Sequence, residues 1–318
     1  MRQGSGPRPA PDALRFIKRL NSQIPFRVRR VIYHNLGGRW LARYAVRFAM
    51  WTEVKARSDR EVTLELKEFR YRLSLETPHD YLMFKEITSS RGGYEPGVEN
   101  LLRNRLTSGG VFVDVGANNG YYTLLAAALV GPSGHVYSFE PNPRVFARLA
   151  TNVRLNGFGN ITLHKMGLWD HAESGKLFHS PVEDGSDSLV RRGPVADDVA
   201  LQPLDEVVVS TPVDVVKIDA EGAEPRVIVG MQRTILRNPG ICIVFESHSG
   251  YDREALASAI PSEFSLFAIT APTADSGTGL RSLSRKELTA YDGNVWATRE
   301  RPEPPARAGS PLIQPSTV

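Results

Sequence analysis

The chain has 318 residues, a formal net charge of +4 and a single cysteine. That length accommodates one α/β domain with extensions, or two smaller units, and buries a core without disulfide or metal staples. One cysteine excludes a disulfide framework and a cysteine-rich zinc site, and 23% charged with 8% aromatic residues excludes a disordered chain. The longest apolar run, Leu124–Val130, is too short to span a bilayer, and no charged start leads into a secretory signal. A soluble protein of the reducing cytoplasm is expected.

Residues 1–60 carry 14 Lys and Arg against three acids, a local +11 that leaves −7 for the rest. This basic arm is either a solvated counterweight to an acidic body or a dock for an anionic partner. Its first 12 residues are rich in Pro and Gly and read as loose. Leu14–Ile24 reads as a short helix ended by Pro25. Gly38–Trp51 reads as a second, with Arg39, Arg43 and Arg47 on one face and Trp40, Leu41, Tyr44 and Phe48 on another. That helix could lie on a membrane surface; docking onto the main domain is the preferred reading.

Glu61–Leu75 alternates in the manner of a half-buried hairpin, with Val62, Leu64 and Leu66 on one side. The loop G-G-Y-E-P-G (92–97) leads into a helix around Val98–Leu106. Short β-branched or aromatic runs follow at Val111–Val115, His135–Phe139, Asn160–Lys165, Val213–Ile218 and Ile241–Glu246, with helical stretches between most of them. This grammar predicts a doubly wound, mostly parallel α/β sheet. Phe264–Ile269 and Asn294–Thr298 add a terminal antiparallel pair, and residues 301–318 read as a disordered tail. The expected organisation is therefore an arm over 1–60, a hairpin and lid-like extension over 61–108, the sheet domain over 109–300, and the tail.

Within the sheet domain, V-F-V-D-V-G-A-N-N-G-Y-Y-T (111–123) ends an apolar strand at Asp114, turns between Gly116 and Gly120, and opens a helix at Tyr121. Glycine is wanted where backbone turns sharply and approaches a ligand. The next strand runs straight into Glu140, where doubly wound folds grip a ribose diol. No Gly-Lys-Ser/Thr follows, so a phosphate-cradling loop is excluded. Asp114 suits a cationic ligand tail better than a pyrophosphate, which favours S-adenosylmethionine, with its amino group, sulfonium and ribose.

The ordered set D-V-G-A-N-N-G (114–120), F-E-P-N-P (139–143), N-G (156–157) and K-I-D-A-E-G-A-E (217–224) resembles the FkbM-type S-adenosylmethionine-dependent methyltransferases. G-Y-E-P-G (93–97), D-S-L (187–189), P-L-D-E (203–206) and F-E-S-H (245–248) fit the same pattern, so the resemblance covers roughly residues 60–300. It implies a Rossmann-like class I methyltransferase fold and methyl transfer to a hydroxyl on a sugar, lipid or natural-product scaffold. The implied cofactor-binding set is Glu95, Asp114, Gly116, Ala117, Asn118, Gly120, Glu140, Pro141, Asn142 and Asp219.

An alcohol needs its proton drawn away before it attacks. Asp219 is expected closest to the reactive end of the cofactor, Glu221 is expected to orient cofactor or acceptor, and His248 is the candidate base. Glu221 and Glu224 also open a helix, and would meet its dipole without any catalytic duty. Tyr94 and Glu95 read as a lid over the cofactor or as a plain turn. Asp219, Glu221, Glu246 and His248 offer ligands to Mg²⁺ or Mn²⁺, but the chemistry runs without an ion and no metal site is assigned. Tyr81 and Lys85 have short-chain oxidoreductase spacing but precede the nucleotide turn, and Cys242 reads as a buried, inert thiol.

Two rivals remain: a non-catalytic module that binds an anionic partner through the arm, and an RNA-directed methyltransferase. Both rank below a small-molecule enzyme. The acceptor pocket is expected in residues 171–200 and 270–293, where no pattern is legible. Acceptor identity and oligomeric state are not encoded in any motif.

Overall fold

A computed structural model describes residues 61–65, 70–89, 94–180, 187–193, 195–270 and 279–300. The basic arm, its two expected helices and the Pro-rich tail lie outside the described residues. The chain divides into two compact units, residues 1–62 with 75–85 and residues 63–74 with 86–318. Strands β1 (Glu61–Glu65) and β2 (Arg70–Ser74) form a two-stranded sheet. Helix α1 (Pro78–Ser89) starts in the first unit, where Asp80 Oδ2 accepts from the backbone N–H groups of Glu76 and Thr77 and from the Thr77 hydroxyl.

The second unit continues with helix α2 (Pro96–Arg105) and strand β3 (Val111–Val115). Helix α3 (Tyr121–Val130), strand β4 (His135–Phe139), helix α4 (Pro143–Asn156) and strand β5 (Ile161–His164) follow in alternation. After strands β6 (Gly167–Leu168), β7 (Glu173–Phe178) and β8 (Ala196–Gln202) and helix α5 (Leu204–Val207), the alternation resumes. It continues with β9 (Val215–Ile218), α6 (Glu224–Val229), α7 (Gln232–Arg237), β10 (Cys242–Ser247), α8 (Arg253–Ala259) and β11 (Ser265–Ile269). Strand β12 (Leu280–Leu283), helix α9 (Arg285–Leu288) and strand β13 (Gly293–Thr298) close the fold.

The main sheet has the order β12-β11-β13-β10-β9-β3-β4-β5. Its five members from β10 to β5 run parallel, and β13 lies antiparallel between β10 and β11. This is the doubly wound, Rossmann-like arrangement that the alternation of strands and helices predicts. Every residue of β3 is buried, as a central parallel strand covered on both faces requires. Val113, Val115, Val216, Ile218, Ile243 and Phe245 pack in one core with Val227, Ile228, Ile235 and Leu256 of the following helices. Strand order reverses at β3, which has β4 on one side and β9 on the other. Crevices beyond the carboxyl ends of strands at such a reversal are where open α/β sheets bind ligands.

The stretches without a legible pattern hold structure. The described residues between 171 and 200 include β7 and the start of β8, which with β6 make a three-stranded sheet over Leu177, Val199 and Leu201. Residues 270–293 contain β12 and α9, whose Ser284 and Glu287 form a reciprocal capping box. Among the described residues no helix is long and apolar enough to cross a membrane.

Candidate active site

Where β3 ends, Gly116 and Ala117 both donate their N–H groups to the Phe139 carbonyl at the end of β4, each at 3.0 Å. Gly116 has φ +76°, and a Cβ placed on it would lie 1.8 Å from the Asp219 carbonyl oxygen. The turn after β3 and the turn after β9 therefore touch through bare backbone. Gly120, at φ +94°, caps α3, and a Cβ there would meet Leu149 Cδ1 at 2.7 Å. The two glycines are required by contact as well as by conformation.

Asp114 is corrected in one respect: β3 ends at Val115, and Asp114 lies within the strand, 1% exposed. Its Oδ2 accepts from the Thr123 hydroxyl at 2.7 Å, which also contacts Ser138 Oγ at 2.9 Å. Oδ1 is buried without a hydrogen-bond partner among the described residues. Burial pushes this carboxyl up, opposed by Lys217 and by Thr123.

Glu140 follows β4 and is 7% exposed. The N–H of Asn142 donates to Oε1 at 2.9 Å and that of Asn118, in left-handed backbone at φ +50°, donates to Oε2 at 3.1 Å. Each oxygen keeps a lone pair for a vicinal diol. Burial lifts the carboxyl to about 7, against those two N–H donors. Past Pro141, Asn142 caps α4 by accepting from the N–H groups of Arg144 and Val145. Its amide also donates to Asp187, which accepts from His179 at 3.0 Å and from the Ser180 N–H at 2.8 Å. The small sheet thus braces the turn after β4.

On the other side, Lys217 is a buried ammonium at the end of β9. Its Nζ lies 3.0 Å from Asp219 Oδ2 and 4.7 Å over the Tyr122 ring. Burial opposes its charge, but Asp219, Asp114 and Glu95 outweigh it and raise its pKa. Glu95, in left-handed backbone at φ +50°, accepts from the Tyr122 hydroxyl at 2.7 Å and from the Asn294 amide at 2.9 Å. Glu221, at φ +53°, is gripped by Arg191, and its carbonyl accepts from the buried Ser188 hydroxyl at 2.7 Å. Glu224 is fully buried and accepts from the N–H groups of Ala220 and Gly222, which shapes the turn rather than serving a ligand.

The crevice therefore gathers Glu95, Asp114, the Gly116–Gly120 turn, Glu140–Asn142, Asp219 and Glu221. His248 is exposed on the segment after β10, where its ring tilts against Tyr251 with centroids 5.7 Å apart. Residues 217, 122, 251 and 294 take part without having been singled out. The signal for Lys217 was legible: a lone charge in the apolar run V-V-K-I. Cys242 is buried, and burial pushes its thiol up to about 12. Among the described residues no group of three or more His, Cys, Asp or Glu is arranged to hold a metal ion.

Residues 114–269 match the family model of the methyltransferase FkbM domain. The hexuronic acid methyltransferase AglP of Haloferax volcanii is 27% identical over 217 residues, covering 67% of this chain and 85% of that protein. A protein-L-isoaspartate O-methyltransferase of Ignicoccus hospitalis is 36% identical over 58 residues, 18% of this chain and 28% of that one. A solved methyltransferase FkbM from Methylobacillus flagellatus aligns with a TM-score of 0.40 at 17% identity, covering 60% of this chain and 44% of that chain. The chain thus spans less than half the length of two of these three proteins. S-adenosylmethionine is the cofactor of this domain, and the crevice fits it: a buried carboxylate with one N–H donor on each oxygen, a backbone cradle without Cβ atoms, and an unpaired buried oxygen on Asp114.

Proposed function

We propose that this chain, which carries an FkbM methyltransferase domain, is an S-adenosylmethionine-dependent methyltransferase acting on a hydroxyl oxygen of a sugar, lipid or natural-product acceptor. The observation that carries this reading is Glu140, buried at the end of β4 with one backbone N–H on each oxygen and lone pairs left for ribose. When bound, the cofactor supplies an electrophilic methyl group on a sulfonium sulfur. Glu140 holds the ribose, Asn118 and Asn142 hold Glu140, and the Gly116–Gly120 turn lets backbone approach. Asp219, fixed by Lys217, and Glu95, fixed by Tyr122 and Asn294, line the cationic end. Alignment with the hexuronic acid methyltransferase over two thirds of the chain puts sugars first among acceptors.

The test is calorimetric titration with S-adenosylmethionine and S-adenosylhomocysteine. Wild-type protein is expected to bind both. Glu140→Ala is expected to weaken binding about 10- to 100-fold, the loss that accompanies removal of a charged hydrogen-bond acceptor. Equal affinity in the variant would displace the cofactor from this crevice, and a folded wild type that binds neither would end the enzyme reading.

A further inference from the structure

One phenol oxygen touches two acids at the carboxyl end of the sheet. The Tyr251 hydroxyl lies 3.2 Å from Glu221 Oε2 and 3.3 Å from Glu246 Oε2. A phenol has one proton to donate, so it satisfies only one carboxylate. The other contact is repulsive unless that acid is protonated and donates to the phenol oxygen. Glu221 is ion-paired with the half-exposed Arg191. Glu246 forms no ion pair among the described residues. The charged groups facing it are Asp219, Glu221 and Glu95, which disfavour its ionisation, and Lys217, which favours it but already binds Asp219. Burial together with the three acids lifts Glu246 to about 8. Glu246 is therefore the partner that holds the proton at neutral pH. It sits beyond the last β9–β10 pair, opposite Asn294, whose amide holds Glu95.

Resting on the methyl-transfer reading of this crevice, we propose that Glu246 is the general base, and that Tyr251 and Glu221 relay the acceptor's proton from it to solvent. The acceptor oxygen forms its bond to the methyl carbon as the methyl–sulfur bond breaks, with the electron pair left on sulfur. The hydroxyl proton passes to ionised Glu246. Glu246 then gives it to the phenol oxygen of Tyr251 while the phenol proton moves to Glu221 and on to water. A base that titrates close to working pH combines availability with driving force. His248, exposed beside Tyr251, is not needed in this path.

Two measurements test the relay. The first needs no acceptor: carboxyl carbon resonances of protein labelled at Glu are titrated in complex with S-adenosylhomocysteine. One resonance is expected to titrate near pH ~8, to vanish in Glu246→Gln, and to move to lower pH in Glu221→Gln, which removes a like charge. A Glu246 resonance that titrates in the ordinary carboxylate range would overturn the proposal. The second follows S-adenosylhomocysteine release on methyl glycosides of glucose, glucosamine and glucuronic acid. The wild-type rate is expected to rise with pH to a plateau, with the midpoint found by resonance. Glu246→Gln, near-isosteric, should lower kcat about 100-fold or more, abolish that rise and leave cofactor affinity intact. Tyr251→Phe should lower kcat about 10-fold with cofactor affinity intact. Turnover by Glu246→Gln at the wild-type rate and pH profile would overturn the base alone. Cofactor binding without turnover on any probe would instead overturn the sugar-hydroxyl reading, and the base with it.

Discussion

Gly116 and Gly157 share a backbone conformation, φ +76° and +71°, but not surroundings. A Cβ on Gly157, which closes α4, would meet nothing within 4 Å, whereas one on Gly116 would strike the Asp219 carbonyl oxygen. Left-handed strain alone costs roughly 1–2 kcal/mol, and forced displacement of packed backbone adds about 1–3 kcal/mol. Gly157→Ala is therefore expected to lower the unfolding midpoint modestly and leave cofactor affinity unchanged. Gly116→Ala should lower it by several degrees more and abolish cofactor binding, because the turns after β3 and β9 must separate. Calorimetric scans and titrations of the two variants side by side check this; equal losses would mean that contact at the strand reversal does not matter. Residue types with one physical use were the legible ones: glycines at sharp turns, an acid after an apolar strand. Tyr251 and Asn294 were not, because a tyrosine or asparagine acquires its role only from what the fold brings beside it.

Helix α4 does more than cover the sheet. Its Asn156 accepts from the Arg72 N–H at 2.8 Å and donates to the Arg72 carbonyl at 2.8 Å, so an amide side chain pairs with β2 as a neighbouring strand would. One turn earlier, buried Asn152 accepts from the Ser74 N–H at 2.9 Å and donates to the Asn119 carbonyl at 2.7 Å. The second bond reaches the nucleotide turn itself. Asn152→Ala is expected to cost about 1–3 kcal/mol through those two buried bonds and to weaken cofactor binding through Asn119, while Asn156→Ala, half-buried and with its β2 bonds exposed, costs about 1 kcal/mol or less. Amide hydrogen exchange at Ser74 and Asn119 should quicken in Asn152→Ala; unchanged exchange would remove α4 from the support of the turn. The N-G pair at 156–157 was visible in the sequence, but its partner in β2 was not, since that contact spans more than 80 residues. The small β6–β8 sheet escaped for a related reason: β7 has a single buried residue and β6 has two residues in all, so neither shows a period to read.

At the scale of the whole molecule, alternating strands and helices made the doubly wound sheet legible. The electrostatic character of its carboxyl edge was not, because acids scattered over 150 residues meet only after folding. Burial lifts Glu99 and Glu140 to about 7 and Glu224 and Glu246 to about 8, and raises Asp114 as well. A carboxyl with a higher pKa when folded binds its proton more tightly in that state. Its stabilising contribution is complete below the ordinary carboxylate range and is lost as pH rises through the folded value. Exposed Glu287, held low by the Ser284 backbone N–H, has the opposite sign, and its contribution is lost only on acidification. The unliganded protein is therefore expected to lose stability from about pH 5 to about pH 8. S-adenosylmethionine carries net positive charge and a ribose that donates to Glu140, so it favours the ionised forms of Glu140 and Asp114. Its affinity should rise across that window, and the stabilisation at fixed cofactor concentration should grow with it. Thermal unfolding at several pH values, with and without cofactor, reads both trends. An unliganded midpoint that rises with pH, or a cofactor increment that shrinks, would mean that these carboxyls are already ionised in the folded chain, and that its carboxyl edge meets the cofactor as fixed negative charge.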